Sequence, residues 1–282
     1  MADYASIIGG NPDDTLPGDS VGRNADAYYH IEAANVFVDR FGSSGDSIID
    51  AIANPNPVRV ELGSGEDTVF GGGGSDSVWA GAGDDVVWTA GGNNTVSGGS
   101  GSDSVEAGTG KDSLLGGSGD DTLHAGAGDD YVSGGAGADS LRGGAGADAV
   151  LGGSGDDSLY GQAGDDHLLG GSGADLLMGG AGDDTMSGGS GGDVFAFDNG
   201  FGQDVISDFG PGDQINLAAD LNGTGIEKAE DLLTADNVSI TGGTTATGAN
   251  FTLITIGNDT IRLERVDHND FINHINTWVH VG

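Results

Sequence analysis

The 282 residues carry 45 acids against 8 bases, a formal charge of −37, with 58 glycines, 5 prolines and no cysteine. That balance excludes a basic face for nucleic acid or an anionic membrane. It also excludes disulfides, and no run of about twenty apolar residues is present to insert into a bilayer.

Residues 1–61 are the least repetitive part of the chain. The opening Met1 to Gly10 lacks the basic and long apolar segments of a cleaved signal peptide, which taken alone predicts a cytoplasmic protein. Tyr28–Glu32 and Asn35–Asp39 read as strands or buried segments, and Asp46–Ile52 as a strand or a short helix. Pro55 and Pro57 mark a junction, after which Val58, Val60 and Leu62 alternate as in a strand entering the next region. A cap or association region over residues 1–61 is the expectation, because the open end of a repeat array exposes sheet edges and core.

From Leu62 to Ala196 the sequence runs in an unbroken nine-residue period, G-G-x-G-x-D-x-U-x, where U is apolar. The sixth slot holds Asp67, Asp76, Asp85, Asn94, Asp103, Asp112, Asp121, Asp130, Asp139, Asp148, Asp157, Asp166, Asp175, Asp184 and Asp193. The eighth slot is always apolar, from Val69 and Val78 through Leu114 and Leu168 to Met186 and Phe195. A fixed short period signals a solenoid, in which a repeat too small to bury its own apolar residue does so against its neighbours. Without that period, a glycine and proline content of about a fifth would argue for disorder.

Two repeats make one coil of a parallel β-roll, so slots eighteen residues apart stack, and fifteen slots give thirteen stacked pairs. Residues 62–196 hold 22 acids against Lys111 and Arg142, a charge of −20. Stacked at roughly the 4.8 Å strand spacing, such a block requires a cation. The turns offer only oxygen, from carboxylates and from carbonyls that glycine lets point inward; six-fold oxygen coordination is calcium chemistry, whereas zinc and copper want nitrogen or sulfur and magnesium keeps its waters. The fifteen sixth-slot residues are therefore the candidate ligands, for up to about 13 Ca2+ ions. At ten times its dissociation constant, each site contributes about 1.4 kcal/mol to the folded state. A chain disordered without calcium and folded with it is expected, with the pairs that use Asn94 weakest because an amide lacks the charge. The second acids Asp84, Asp120, Asp129, Asp156, Asp165 and Asp183 precede the ligand slot and are expected to face solvent.

In residues 197–282, Ile226–Thr234 predicts a short helix. Val238–Ile240, Phe251–Ile256 and Thr260–Leu263 predict strands. Phe271, Ile272, Ile275, Trp278 and Val279 have the spacing of a final amphipathic helix.

The repeats resemble the repeats-in-toxin (RTX) calcium-binding β-roll: Gly116-Gly-Ser-Gly-Asp-Asp-Thr-Leu-His124 is nearly that family's consensus. Gly189–Phe197 and Asp204–Leu217 are similar to the segment that closes such a roll. The resemblance implies an all-β fold and export by a type I secretion system through an uncleaved C-terminal signal, with folding triggered by calcium outside the cell. That reverses the cytoplasmic expectation and points to a secreted or cell-surface bacterial protein. The organisation is then cap over 1–61, β-roll over 62–196, and capping and secretion-signal region over 197–282.

No catalytic constellation is evident. The six histidines include no H-E-x-x-H pair, and Gly188-Gly-Ser-Gly-Gly192 meets the G-x-S-x-G pattern only because the repeat generates that string. Ninth-slot residues such as Phe70, Trp79, Trp88, Leu151 and Leu169 point outward, and apolar side chains on a sheet face suggest a partner. The expected function is a non-enzymatic, calcium-binding extracellular structural protein that self-associates as a homo-oligomer in a surface layer, filament or biofilm matrix. The alternatives are an adhesin that binds a cell-surface glycan and, behind it, an enzyme with an unrecognised active site.

Overall fold

The computed structural model describes residues 5–8, 27–30, 36–39, 45–219, 221–235 and 237–282. Two compact units divide the chain, Met1–Gly143 and Gly144–Gly282.

In the first unit successive strands alternate between two parallel sheets, as a nine-residue half-coil demands. One sheet runs Val36–Asp39, Val58–Glu61, Ser77–Ala82, Thr95–Ser100, Ser113–Ser118, Tyr131–Ala136. The other runs Ser47–Asp50, Thr68–Phe70, Val86–Trp88, Ser104–Thr109, Thr122–Ala127. The register is eighteen residues in the repeats, with Val105 opposite Leu123 and Leu114 opposite Val132. Residue 61 is no break in pairing, because Arg59, Val60 and Glu61 bond in register to Ser77, Val78 and Trp79. Asp46–Ile52, whose sequence suits a strand or a short helix, forms the strand Ser47–Asp50. The segments Tyr28–Glu32 and Asn35–Asp39 contribute the strands Ala27–His30 and Val36–Asp39, and their flanks lie outside the described residues.

The second unit begins in the same manner and ends differently. Ala149–Ser154, His167–Ser172, Thr185–Ser190 and Gln203–Ile206 pair in parallel; Asp259–Glu264 joins them in parallel and then carries Asn250–Ile256 and Val238–Thr244 antiparallel. The opposite sheet runs Ser158–Ala163, Leu176–Ala181, Val194–Phe197, Gln214–Leu217 and Val279–Val281.

All fifteen eighth-slot residues are at most 2% exposed, so each repeat buries one large apolar side chain, joined in some repeats by an alanine such as Ala80, Ala107 or Ala125. The final helix is His268–Trp278: the Asp267 side chain caps it by accepting from the Asn269 amide, and Phe271 and Ile275, four apart, are its buried face. The short helix expected over 226–234 is the five-residue 3-10 helix Ala229–Leu233. Asp231 Oδ2 accepts from the amides of Glu227 and Lys228, which ties the segment into a tight turn rather than a longer helix.

Candidate metal centre

Every sixth-slot residue is buried to within 3% exposure, an unusual place for fourteen aspartates and an asparagine. The turns put them there. Each slot follows a glycine turn and precedes a strand, and the coil above lays its own slot directly over it. The Oδ1 atom of the upper residue then accepts from the backbone N–H of the lower one. Asp85 accepts from Asp67 at 2.7 Å, Asp103 from Asp85 at 2.9 Å and Asp121 from Asp103 at 2.8 Å. In the second unit Asp166 accepts from Asp148 at 2.8 Å and Asp193 from Asp175 at 3.0 Å. A stacked pair thus shares one carboxylate and one amide, rather than two carboxylates pointing at each other.

The other oxygen is the chemically telling one. Oδ2 of Asp76, Asp85, Asp103, Asp112, Asp121, Asp166, Asp175, Asp184 and Asp193 is buried and receives no hydrogen bond. A buried anionic oxygen without a donor carries a heavy desolvation cost. Accordingly, burial raises these acids; in Asp85, Asp121 and Asp166 a backbone amide opposes it, neighbouring carboxylates add to it, and the carboxyls reach about 7.

Glycine makes the space into which these oxygens look. A Cβ on Gly116 would collide with Asp121 Oδ2 and lie 2.7 Å from the carbonyl oxygen of Gly134, one coil on. The same pair of oxygens converges above Gly161, where Asp166 Oδ2 and the Gly179 carbonyl meet, and above Gly170, where Asp175 Oδ2 and the Gly188 carbonyl meet. Gly117 serves the stacking itself: at φ +122° its missing Cβ points at the Gly99 carbonyl of the coil before. Carboxylate and carbonyl oxygens around a point kept open by glycine fit a hard divalent cation of calcium's size. Among the described residues no three histidine, aspartate or glutamate side chains converge, so backbone carbonyls have to complete any such centre.

The preceding acids Asp84, Asp120, Asp156, Asp165 and Asp183 are exposed as expected, yet they are not idle. Each accepts, through Oδ1, from an amide one coil further on: Asp84 from Ser102, Asp120 from Ala138, Asp156 from Ala174, Asp165 from Asp183, Asp183 from Gln203. The buried ladder bonds toward the N-terminus and this outer ladder toward the C-terminus.

Two members of the ladder escaped the nine-residue reading. Asp204 Oδ1 accepts from the Asp184 amide and Asp213 Oδ1 from the Asp193 amide, at spacings of twenty rather than eighteen. The signal was the Asp-x-apolar triplet, Asp204-Val-Ile and Asp213-Gln-Ile, displaced by two inserted residues. Asp213 Oδ2 accepts from the Gly210 amide, so that edge closes with protein donors. Asp204 is 1% exposed with a bare Oδ2, and burial pushes its carboxyl up to about 8.

Among solved structures, one similar chain is the extracellular lipase LipA from Serratia marcescens, at 16% identity and a TM-score of 0.33, covering 85% of this chain and 45% of the lipase. The chain thus spans less than half the length of that protein. No curated protein matches it. The RTX calcium-binding nonapeptide repeat matches residues 62–96, 97–132, 124–159, 160–195 and 169–206, just over half of the chain. Such repeats are structural and indicate a secreted protein. The buried ladder and this match agree: the chain belongs to the RTX calcium-binding repeat family.

Proposed function

We propose that this is an extracellular structural protein, exported unfolded by type I secretion machinery, that folds on meeting calcium and then self-associates at the cell surface or in the extracellular matrix, as in a surface layer, filament or biofilm. The observation that carries the reading is the set of nine buried aspartates, Asp76 to Asp121 and Asp166 to Asp193, whose second oxygens lack donors. Calcium, when bound, supplies the positive charge those oxygens lack. The aspartates offer Oδ2, the glycines leave the room and present carbonyls, and the Oδ1–amide bonds fix the spacing between coils. One aliphatic side chain per nine residues buries too little surface to offset the ordering of a glycine-rich backbone, so folding tracks the cation. In the cytoplasm, where calcium is scarce, the same arithmetic keeps the chain unfolded for export.

Self-association is supported by apolar side chains left on the sheet faces. Phe70 and Trp88 stack with centroids 5.0 Å apart and planes 13° from parallel, and Trp79, Leu115 and Leu169 are each at least 37% exposed. The fourteen sixth-slot aspartates are the proposed ligands; we read the chain as non-enzymatic, with the scaffold itself as the product. Far-ultraviolet circular dichroism against calcium, with magnesium as control, tests the metal and the coupled folding; an equal magnesium response overturns the choice of ion. Light scattering on a sizing column tests association, and a folded monomer at every calcium and protein concentration rejects it. The Phe70–Trp88 plane also suits a sugar ring, and glycan-array binding lost on Trp88→Ala would favour the adhesin reading instead.

A further inference from the structure

Residues 89–97 read Thr-Ala-Gly-Gly-Asn-Asn-Thr-Val-Ser, and three side chains there depart from the pattern: Thr89 and Ala90 at the paired glycine slots and Asn94 at the carboxylate slot. Asn94 Oδ1 accepts from the Asp76 amide at 2.9 Å, as its aspartate neighbours do, which fixes the oxygen end of the amide. Its Nδ2 donates to the Gly92 carbonyl at 3.2 Å. Thr89 occupies the place that Gly116 holds beside Asp121, and its hydroxyl donates at 3.0 Å to the Ala107 carbonyl. Ala107 stands thirteen residues past Asn94, as Gly134 stands past Asp121. Where the Asp121 rung brings a donor-less carboxylate oxygen and a carbonyl oxygen to an open point, this rung fills the point with a side chain and turns hydrogens toward its carbonyls. The backbone differs too: Ala90 lacks the positive φ of the equivalent Gly99 and Gly117, and the strand before it stops at Trp88 after three residues.

We propose that the Thr89–Asn94 rung is a cation-independent one, in which a hydroxyl and an amide do what calcium does in the neighbouring rungs, so that the column Asp76, Asn94, Asp112 is interrupted at its middle member. This rests on the calcium reading above. Both substitutions are needed for the effect: an amide alone removes charge but leaves the space, and a threonine alone would press on an aspartate.

The test counts calcium per full-length chain by native mass spectrometry or equilibrium dialysis. Thr89→Gly with Asn94→Asp rebuilds the glycine space and the carboxylate, and is expected to bind one more calcium than the wild type. An unchanged count in that folded variant overturns the inference, while a wild type that binds no calcium overturns the calcium reading itself and is told apart by that zero. Should the double variant not fold, Thr89→Val keeps the volume and deletes the donor: a lower thermal midpoint at saturating calcium is expected, and an unchanged midpoint overturns the proposal.

Discussion

The coils of residues 98–139 and the closing region of residues 203–281 are both built on parallel strands, but they are held in different ways. The coils bury one aliphatic residue and one acid per nine positions. The closing region buries Ile206, Phe209, Ile215, Leu217, Ile254, Ile261, Phe271 and Ile275, and knits them with ring contacts from Phe195 to Phe209 and from Phe209 and Phe271 to Trp278. Its carboxylates also end the ladder: Asp213 is satisfied by backbone amides, leaving Asp204 with a bare oxygen. One region is stabilised by charge that must be neutralised from outside, the other by apolar area it carries itself.

Chelation is the strongest way to break the comparison. Removing calcium is expected to abolish the β-signal of the coils, while amide exchange in the helix His268–Trp278 stays comparatively slow; equal loss in both regions would refute the division. Next in size, Phe271→Ala empties a fully buried site and is expected to cost about 3–5 kcal/mol in the closing region. Its thermal midpoint should fall at low and saturating calcium alike, and a variant rescued completely by calcium would put that core under metal control.

Protons provide a subtler probe. Burial raises Asp85, Asp121 and Asp166 to about 7 in the folded, metal-free chain, against an ordinary value of 3.8. The folded form therefore holds more protons than the unfolded one between those values, so metal-free stability is greatest at low pH and is lost as pH rises through about 7. Ellipticity in chelator is expected to grow from pH 7.5 to 5, above the isoelectric point near 4.1, and the calcium midpoint to move to higher concentration over the same range. A flat profile would mean the bare oxygens are not what destabilises the metal-free coils.

The smallest expected effect lies at Gln162, which takes a glycine slot with φ +85°. Gln162→Gly should relieve strain of about 1 kcal/mol and raise the calorimetric midpoint of the calcium-bound form slightly. A lowered midpoint would show that the glutamine side chain contributes contacts that outweigh its backbone.

The period alone determined most of the roll. Once Asp67 through Asp193 recur every nine residues with an apolar partner two places later, the alternation of sheets, the eighteen-residue register and the burial of both columns follow from strand geometry. The end strands and the final helix were readable for the same reason, since alternation at Phe251–Ile256 and three-four spacing at Phe271–Ile275 are local signals.

What needed the tertiary structure was everything that depends on which atoms meet. Sequence could not tell that Oδ1 of Asp85, Asp103, Asp121, Asp166 and Asp193 is taken by an amide while Oδ2 is left bare, or that the outer acids form a second ladder, because both are relations between coils. Nor could it place Asp204 and Asp213 in the column, since two inserted residues hide them from a fixed period while strand pairing restores their register. Asn94 reads in sequence as a weakened ligand. Only the packing of Thr89 against the Ala107 carbonyl turns it into a rung that needs no ion, because hydrogen bonds are decided by distance in space and not by position in the chain.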